Sequence, residues 1–110
     1  MDEIRPLLLE SERTRSAGGP NFADDLRAVA HFIEHGHALG CTSVTAYIAA
    51  ARWCCYNGNS SLSVQESGKK SIISYTENAR GVFFVDENSD IIIGTFYKKN
   101  KVLRPRALGL

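Results

Sequence analysis

The stretch that decides the fold is GVFFVDENSDIIIGTFYK, residues 81–98. Residues 81–85 and 91–97 are rich in β-branched and aromatic side chains, and Asp86-Glu87-Asn88-Ser89-Asp90 between them is polar and of hairpin length. They read as two antiparallel strands. Residues 71–76 have the same character, and residues 62–65 form a shorter candidate. Along the last strand, alternation puts Ile91, Ile93, Thr95 and Tyr97 on one face and Ile92, Gly94, Phe96 and Lys98 on the other. Gly94 permits close approach of another backbone or ligand.

Upstream of residue 60 the hydrophobic period lengthens to that of helices. Leu26, Val29, Ala30 and Ile33 recur at three- and four-residue intervals as one stripe, with Asn21 or Asp24 as N-cap and Gly36 as the expected stop. A second helix begins at Thr42 or Ser43 and carries Val44, Tyr47, Ile48, Ala51, Cys54 and Cys55 to about Tyr56. The expected fold class is therefore α+β, with two N-terminal helices packed on a three- to four-stranded antiparallel sheet. Residues 1–20, ending in Ser16-Ala17-Gly18-Gly19-Pro20, read as a linker or leader, and residues 21–110 as the domain.

With 110 residues, 44% of them apolar and 23% charged, the chain has the size and composition of one globular domain, which excludes wholesale disorder and fibrous structure. The run Pro6-Leu7-Leu8-Leu9 is too short to span a membrane or to form a signal-peptide core. A net charge of +1 argues against a protein that coats nucleic acid by electrostatics alone. Lys98, Lys99, Lys101, Arg104 and Arg106 nevertheless crowd the C-terminal stretch, as a phosphate-binding surface or as a solvated tail. Cys41, Cys54 and Cys55 are odd in number and lack CxxC spacing, which speaks against a disulfide framework; Cys54 and Cys55 are expected as small core hydrophobes of a helix, and Cys41 lies in a loop close to His37, where a thiol–histidine pair is the chemical alternative.

His31 and His35 lie one helical turn apart, so one site can use both. An imidazole near its ordinary pKa of about 6.5 is poised for proton transfer. Two surface histidines would show the same spacing. A zinc site is a further alternative, but His-Phe-Ile-Glu-His puts Glu34 beside the second histidine, unlike the HExxH pattern, so no metal ligand is assigned. Thr95 and Tyr97 with Lys98 and Arg80 would suit a phosphodiester by supplying donors to its oxygens and cations for its charge.

The order of these features resembles a known family. His31-Phe32-Ile33-Glu34-His35-Gly36, Leu39-Gly40, Ser43 and Tyr47-Ile48 with Ala51 are similar to the opening of C-terminal ribonuclease toxin domains of the barnase/EndoU/colicin/RelE-like group, which includes colicin D-like and contact-dependent growth-inhibition toxins. Phe83-Phe84-Val85-Asp86 and the run from Ile91 to Thr95-Phe96-Tyr97 resemble the closing strand pair of that group. Two departures stand out. Ser74-Tyr75 and Ala79-Arg80 occupy the region where relatives carry an Arg before the penultimate strand and a Thr in the turn leading into it, and Ser89-Asp90 replaces the usual turn glycine, where Asn88 can adopt the left-handed conformation.

The resemblance implies a metal-independent endoribonuclease without cofactor, cutting RNA, often tRNA, by 2′-hydroxyl attack to give a 2′,3′-cyclic phosphate. His35 would be the general acid/base with His31 as helper, Thr95 and Tyr97 would contact the scissile phosphate, Arg80 would supply charge, and Lys98, Lys99 and Lys101 would hold the RNA backbone. It further implies delivery within a larger secreted or cell-surface protein, action in the target-cell cytoplasm, a cognate immunity protein, assistance by elongation factor Tu in some relatives, and no membrane insertion by this domain. The rival expectations are a non-catalytic immunity or antitoxin-type binding protein and a His-ligated metal-dependent hydrolase.

Overall fold

A computed structural model describes residues 3–99. Helices α1 (Arg5–Ser16), α2 (Asp25–His31) and α3 (Val44–Asn57) pack on a five-stranded mixed sheet formed by β1 (Asn21–Phe22), β2 (Asn59–Val64), β3 (Lys70–Tyr75), β4 (Ala79–Val85) and β5 (Ile91–Lys98). Strand order is β1-β5-β4-β3-β2. The chain is α+β as expected, with one more helix and a parallel edge strand.

The first correction concerns the segment expected to be a leader. Pro6 opens α1 and Arg13 and Arg15 close it, placements that suit the two ends of a helix. Its inward face is partly polar. Ser11 Oγ donates to Asp25 Oδ1 (2.7 Å), Thr14 and Thr45 hydroxyls meet at 3.0 Å, and Arg15 reaches Asp25 and the Phe22 carbonyl. Ile4, Leu7 and Leu8 pack against the core from the same helix. After the turn at Gly18 and Gly19, β1 adds two residues in parallel to β5, pairing Asn21 with Ile92 and Phe22 with Ile93.

The second correction concerns the helix that carries the histidines. Asp24 caps α2 by accepting from the Arg27 amide, as expected, but the buried residues are Ala28, Val29, Phe32, His35 and Gly36, while Leu26, Ala30 and Ile33 are exposed. The helix is rotated so that the histidines face the sheet instead of lying on its flank. Nor does it stop at Gly36: α2 widens into a π-helical turn over Phe32–Gly36, tightens into a 3-10 turn over His37–Leu39, and ends at Gly40 with φ +76°. Gly36 has φ −60°, and its missing side chain serves packing, since a Cβ there would sit 2.6 Å from the Phe32 ring.

The sheet supplies the third correction. Val82 pairs with Thr95 but Phe83 with Ile93, so Gly94 is an extra residue that bulges out of β5. The bulge flips the alternation. Ile93 and Phe96, opposite Phe83 and Gly81, are buried under the helices, whereas Thr95 and Tyr97, opposite Val82 and Arg80, lie on the open face. The expectation that Ile93 shares a face with Thr95 and Tyr97 therefore fails at the glycine. In the turn before β5 it is Ser89, φ 67°, and not Asn88, that takes the left-handed conformation.

Candidate active site

Tyr47 anchors the site to the core. Its ring lies 6.0 Å from those of Phe22 and Phe32 and 5.7 Å from Phe96, and its hydroxyl donates to the Phe96 carbonyl of β5. Burial pushes this phenol far above its ordinary pKa, so it serves as a fixed neutral donor. The π-helical turn is thereby held beside the end of β5 that carries Thr95 and Tyr97. Such turns are frequent where a helix positions functional groups.

His31, at the end of α2, stacks on Phe22 (centroids 5.1 Å, interplanar 22°) and places Nδ1 3.5 Å from Thr95 Oγ1. It is half-buried. Burial holds its pKa below 6.5 against the opposing pull of the Glu34 charge, which leaves the ring neutral at physiological pH. The His35 ring lies 5.9 Å from that of His31 and 5.8 Å from that of Tyr97, with Nε2 3.8 Å from Glu34 Oε1. His35 is only 8% exposed.

Arg80 continues the line. One guanidinium nitrogen donates to the Tyr97 hydroxyl and Nε donates to the Tyr75 hydroxyl at 3.2 Å, with the guanidinium carbon 5.7 and 5.9 Å from the two ring centroids. These bonds, Tyr75 foremost, raise its pKa further, and no carboxylate pairs with it among the described residues. Five of the residues singled out in the sequence, His31, His35, Arg80, Thr95 and Tyr97, thus come together, through contacts that cross from the helical layer to the sheet.

The lysines do not join them. Lys98 pairs with Ala79 on the helix side of the sheet, opposite to the side occupied by Arg80 and Tyr97, and Lys99 Nζ donates to the Thr76 carbonyl at 3.2 Å. Lys101 lies outside the described residues. Cys41 is buried and desolvation raises its pKa, which keeps it a thiol, while His37 is exposed and packs against Phe32. Cys54 and Cys55 are core residues whose thiols burial likewise holds protonated. No three His, Cys, Asp or Glu side chains gather into a group able to hold a metal ion among the described residues.

Sequence reasoning missed Tyr75, which entered only as a departure from the family pattern. Its place beside Arg80 follows from the β3–β4 register, which pairs the two residues across a tight connection. A signal was present, since Tyr75 and Arg80 flank the turn symmetrically. The chain matches no family model, no curated protein and no solved structure. Among the described residues no helix is long and apolar enough to cross a membrane.

Proposed function

We propose that this domain is a toxin-type endoribonuclease that cleaves folded RNA, such as tRNA, through 2′-hydroxyl attack. The observation that carries the reading is the continuous line Thr95, His31, His35, Tyr97, Arg80, in which two imidazoles 5.9 Å apart stand beside hydroxyl donors and a cation that has no carboxylate partner among the described residues. These are the groups a phosphodiester transfer needs: a base, an acid, and donors for the charge that develops on phosphorus-bound oxygens.

The geometry favours a division of labour that differs from the family-based expectation. His31 is neutral and the more exposed of the pair, so it takes the proton of the ribose 2′-hydroxyl as the oxygen attacks phosphorus. His35, with Glu34 Oε1 3.8 Å from its Nε2, returns a proton to the departing 5′-oxygen. The P–O5′ bond breaks, a 2′,3′-cyclic phosphate remains, and Arg80, Tyr97 and Thr95 donate to the non-bridging oxygens. No step calls on a cofactor. Delivery by a larger protein and neutralisation by an immunity protein belong to the same proposal, and the family resemblance alone supports them.

The test is incubation of the purified chain with total RNA in excess chelator, followed by sequencing of the new ends. Cyclic-phosphate ends that disappear in both His31→Ala and His35→Ala support the reading. Undiminished cleavage by the doubly substituted protein, or no cleavage by the wild type, overturns it.

A further inference from the structure

The strand registers align four side chains in one row across the open face. Asn59 of β2 pairs with Tyr75 of β3, Tyr75 with Arg80 of β4, and Arg80 with Tyr97 of β5. Directly opposed residues in antiparallel strands project to the same side, so the four side chains stand next to one another. The row begins at an exposed amide and ends at the histidine pair.

Each position offers a different kind of contact. Asn59 is exposed, and its amide presents a donor beside an acceptor. Tyr75 is 39% exposed and presents an aromatic face. Arg80 commits two N–H groups to the phenols, and of its five donors the rest have no protein partner among the described residues. Strands are spaced about 4.8 Å apart, so the interval from Asn59 to Arg80 is about 10 Å, the scale of one nucleoside with its phosphate. Hydrogen bonding to the base edge, stacking and phosphate charge are thus offered in the order in which a nucleotide presents its parts.

We infer that the row Asn59–Tyr75–Arg80 is a nucleotide seat, in which a base stacks on Tyr75 with its edge toward Asn59 while its phosphate meets Arg80 beside the histidines. Exposed aromatics on open sheet faces are a common way to hold unpaired bases, and every base has a face to stack. The amide of Asn59 adds a preference among bases. The seat rests on the ribonuclease reading for the nucleotide's being part of an RNA chain, but mononucleotide binding requires no cleavage and can be measured separately.

The experiment is calorimetric titration of the intact chain with inorganic phosphate and with AMP, GMP, CMP and UMP. At least one nucleotide should bind about tenfold or more tightly than phosphate, as expected for one stacked base. Tyr75→Ala should remove that advantage, Tyr75→Phe should keep it, Arg80→Gln should abolish binding of phosphate and nucleotide alike, and Asn59→Ala should narrow the spread among the four bases. Circular dichroism confirms that each variant is folded, and Tyr75→Phe guards against a Tyr75→Ala effect that is merely structural. Equal affinity for phosphate and all four nucleotides, or an unchanged advantage in Tyr75→Ala, overturns the seat. On long RNA, Tyr75→Ala should raise KM about tenfold relative to Tyr75→Phe, which lacks the same hydroxyl but keeps the ring, with kcat of the two variants agreeing within about twofold. Nucleotide binding without any RNA cleavage would uphold the seat and refute the ribonuclease reading. Cleavage with KM unchanged in Tyr75→Ala would do the reverse.

Discussion

His31 stacks against Phe22, ring on ring at 5.1 Å, and burial holds its pKa below the ordinary value against the opposing pull of Glu34. Its pKa in the folded chain is below the 6.5 of the free group, so the unfolded chain takes up the proton first as pH falls. The stability that His31 contributes is fully present above pH 6.5 and is lost as pH drops from there through the folded-state value. Urea unfolding from pH 7.5 downward should therefore show a midpoint that declines below about 6.5. His31→Phe keeps a flat ring against Phe22 and removes the titration, so its midpoint should decline less over the same range. If both proteins decline in parallel, His31 is not the group responsible.

Arg80 provides a second test because it reaches two phenols at once, Tyr75 through Nε and Tyr97 through its terminal nitrogen. A lysine ammonium keeps the charge but cannot span both hydroxyls from one position. Arg80→Lys should therefore lower kcat for RNA cleavage by about 100-fold, the scale on which loss of a single preorganised donor falls. Arg80→Gln, which also loses the charge, should lower it further. Near-complete rescue by lysine would mean that charge alone matters and that the fork geometry does not.

Much of this layout was legible in the sequence, and the failures share a cause. The hairpin of β4 and β5 and the capped helix α3 follow from local period and turn chemistry, which one chain segment decides by itself. The burial of α1 does not, because its inward face uses Ser11 and Thr14, side chains that count as surface residues until Asp25 and Thr45 are placed opposite them. The helix stripe differs from its sequence reading because Phe32 and His35, not Leu26 and Ile33, take the inner side, where the Phe32 ring packs beside Tyr47. Five residues singled out in the sequence come together in the structure, whereas Tyr75 beside them is not marked by spacing, since a cross-strand neighbour is a property of register.

The role of α1 yields a third expectation. If residues 1–17 were a passive linker, deleting them would leave stability unchanged. Here the deletion uncovers Ile4, Leu7 and Leu8 from the core and strips Asp25 of the Ser11 and Arg15 side chains. Loss of that apolar contact alone should cost about 3 kcal/mol or more. A chain beginning at Gly18 should unfold at distinctly lower urea, and an unchanged midpoint would return α1 to the status of a leader.

Two glycines separate packing that can yield from packing that cannot. A Cβ on Gly94 would meet the Phe84 ring at 2.5 Å and the Val82 carbonyl oxygen at 3.1 Å, but Phe84 is 48% exposed on the open face and can swing toward solvent, which leaves only the mild backbone contact. A Cβ on Gly36 would meet the Phe32 ring at 2.6 Å, and Phe32 is buried against Tyr47 with no such escape. Gly36→Ala should thus be the more damaging substitution, costing about 1–3 kcal/mol as an overpacked core does, whereas Gly94→Ala should cost about 1 kcal/mol or less. The consequences for chemistry should differ in the same direction, because displacing Phe32 moves the π-helical turn that carries His35. In the folded fraction, Gly36→Ala should lower kcat along with stability, while Gly94→Ala should leave kcat within about threefold. Thermal melts paired with cleavage assays on the two variants decide the matter, and equal effects at the two sites would show that the π-helical turn adapts as freely as the open sheet face.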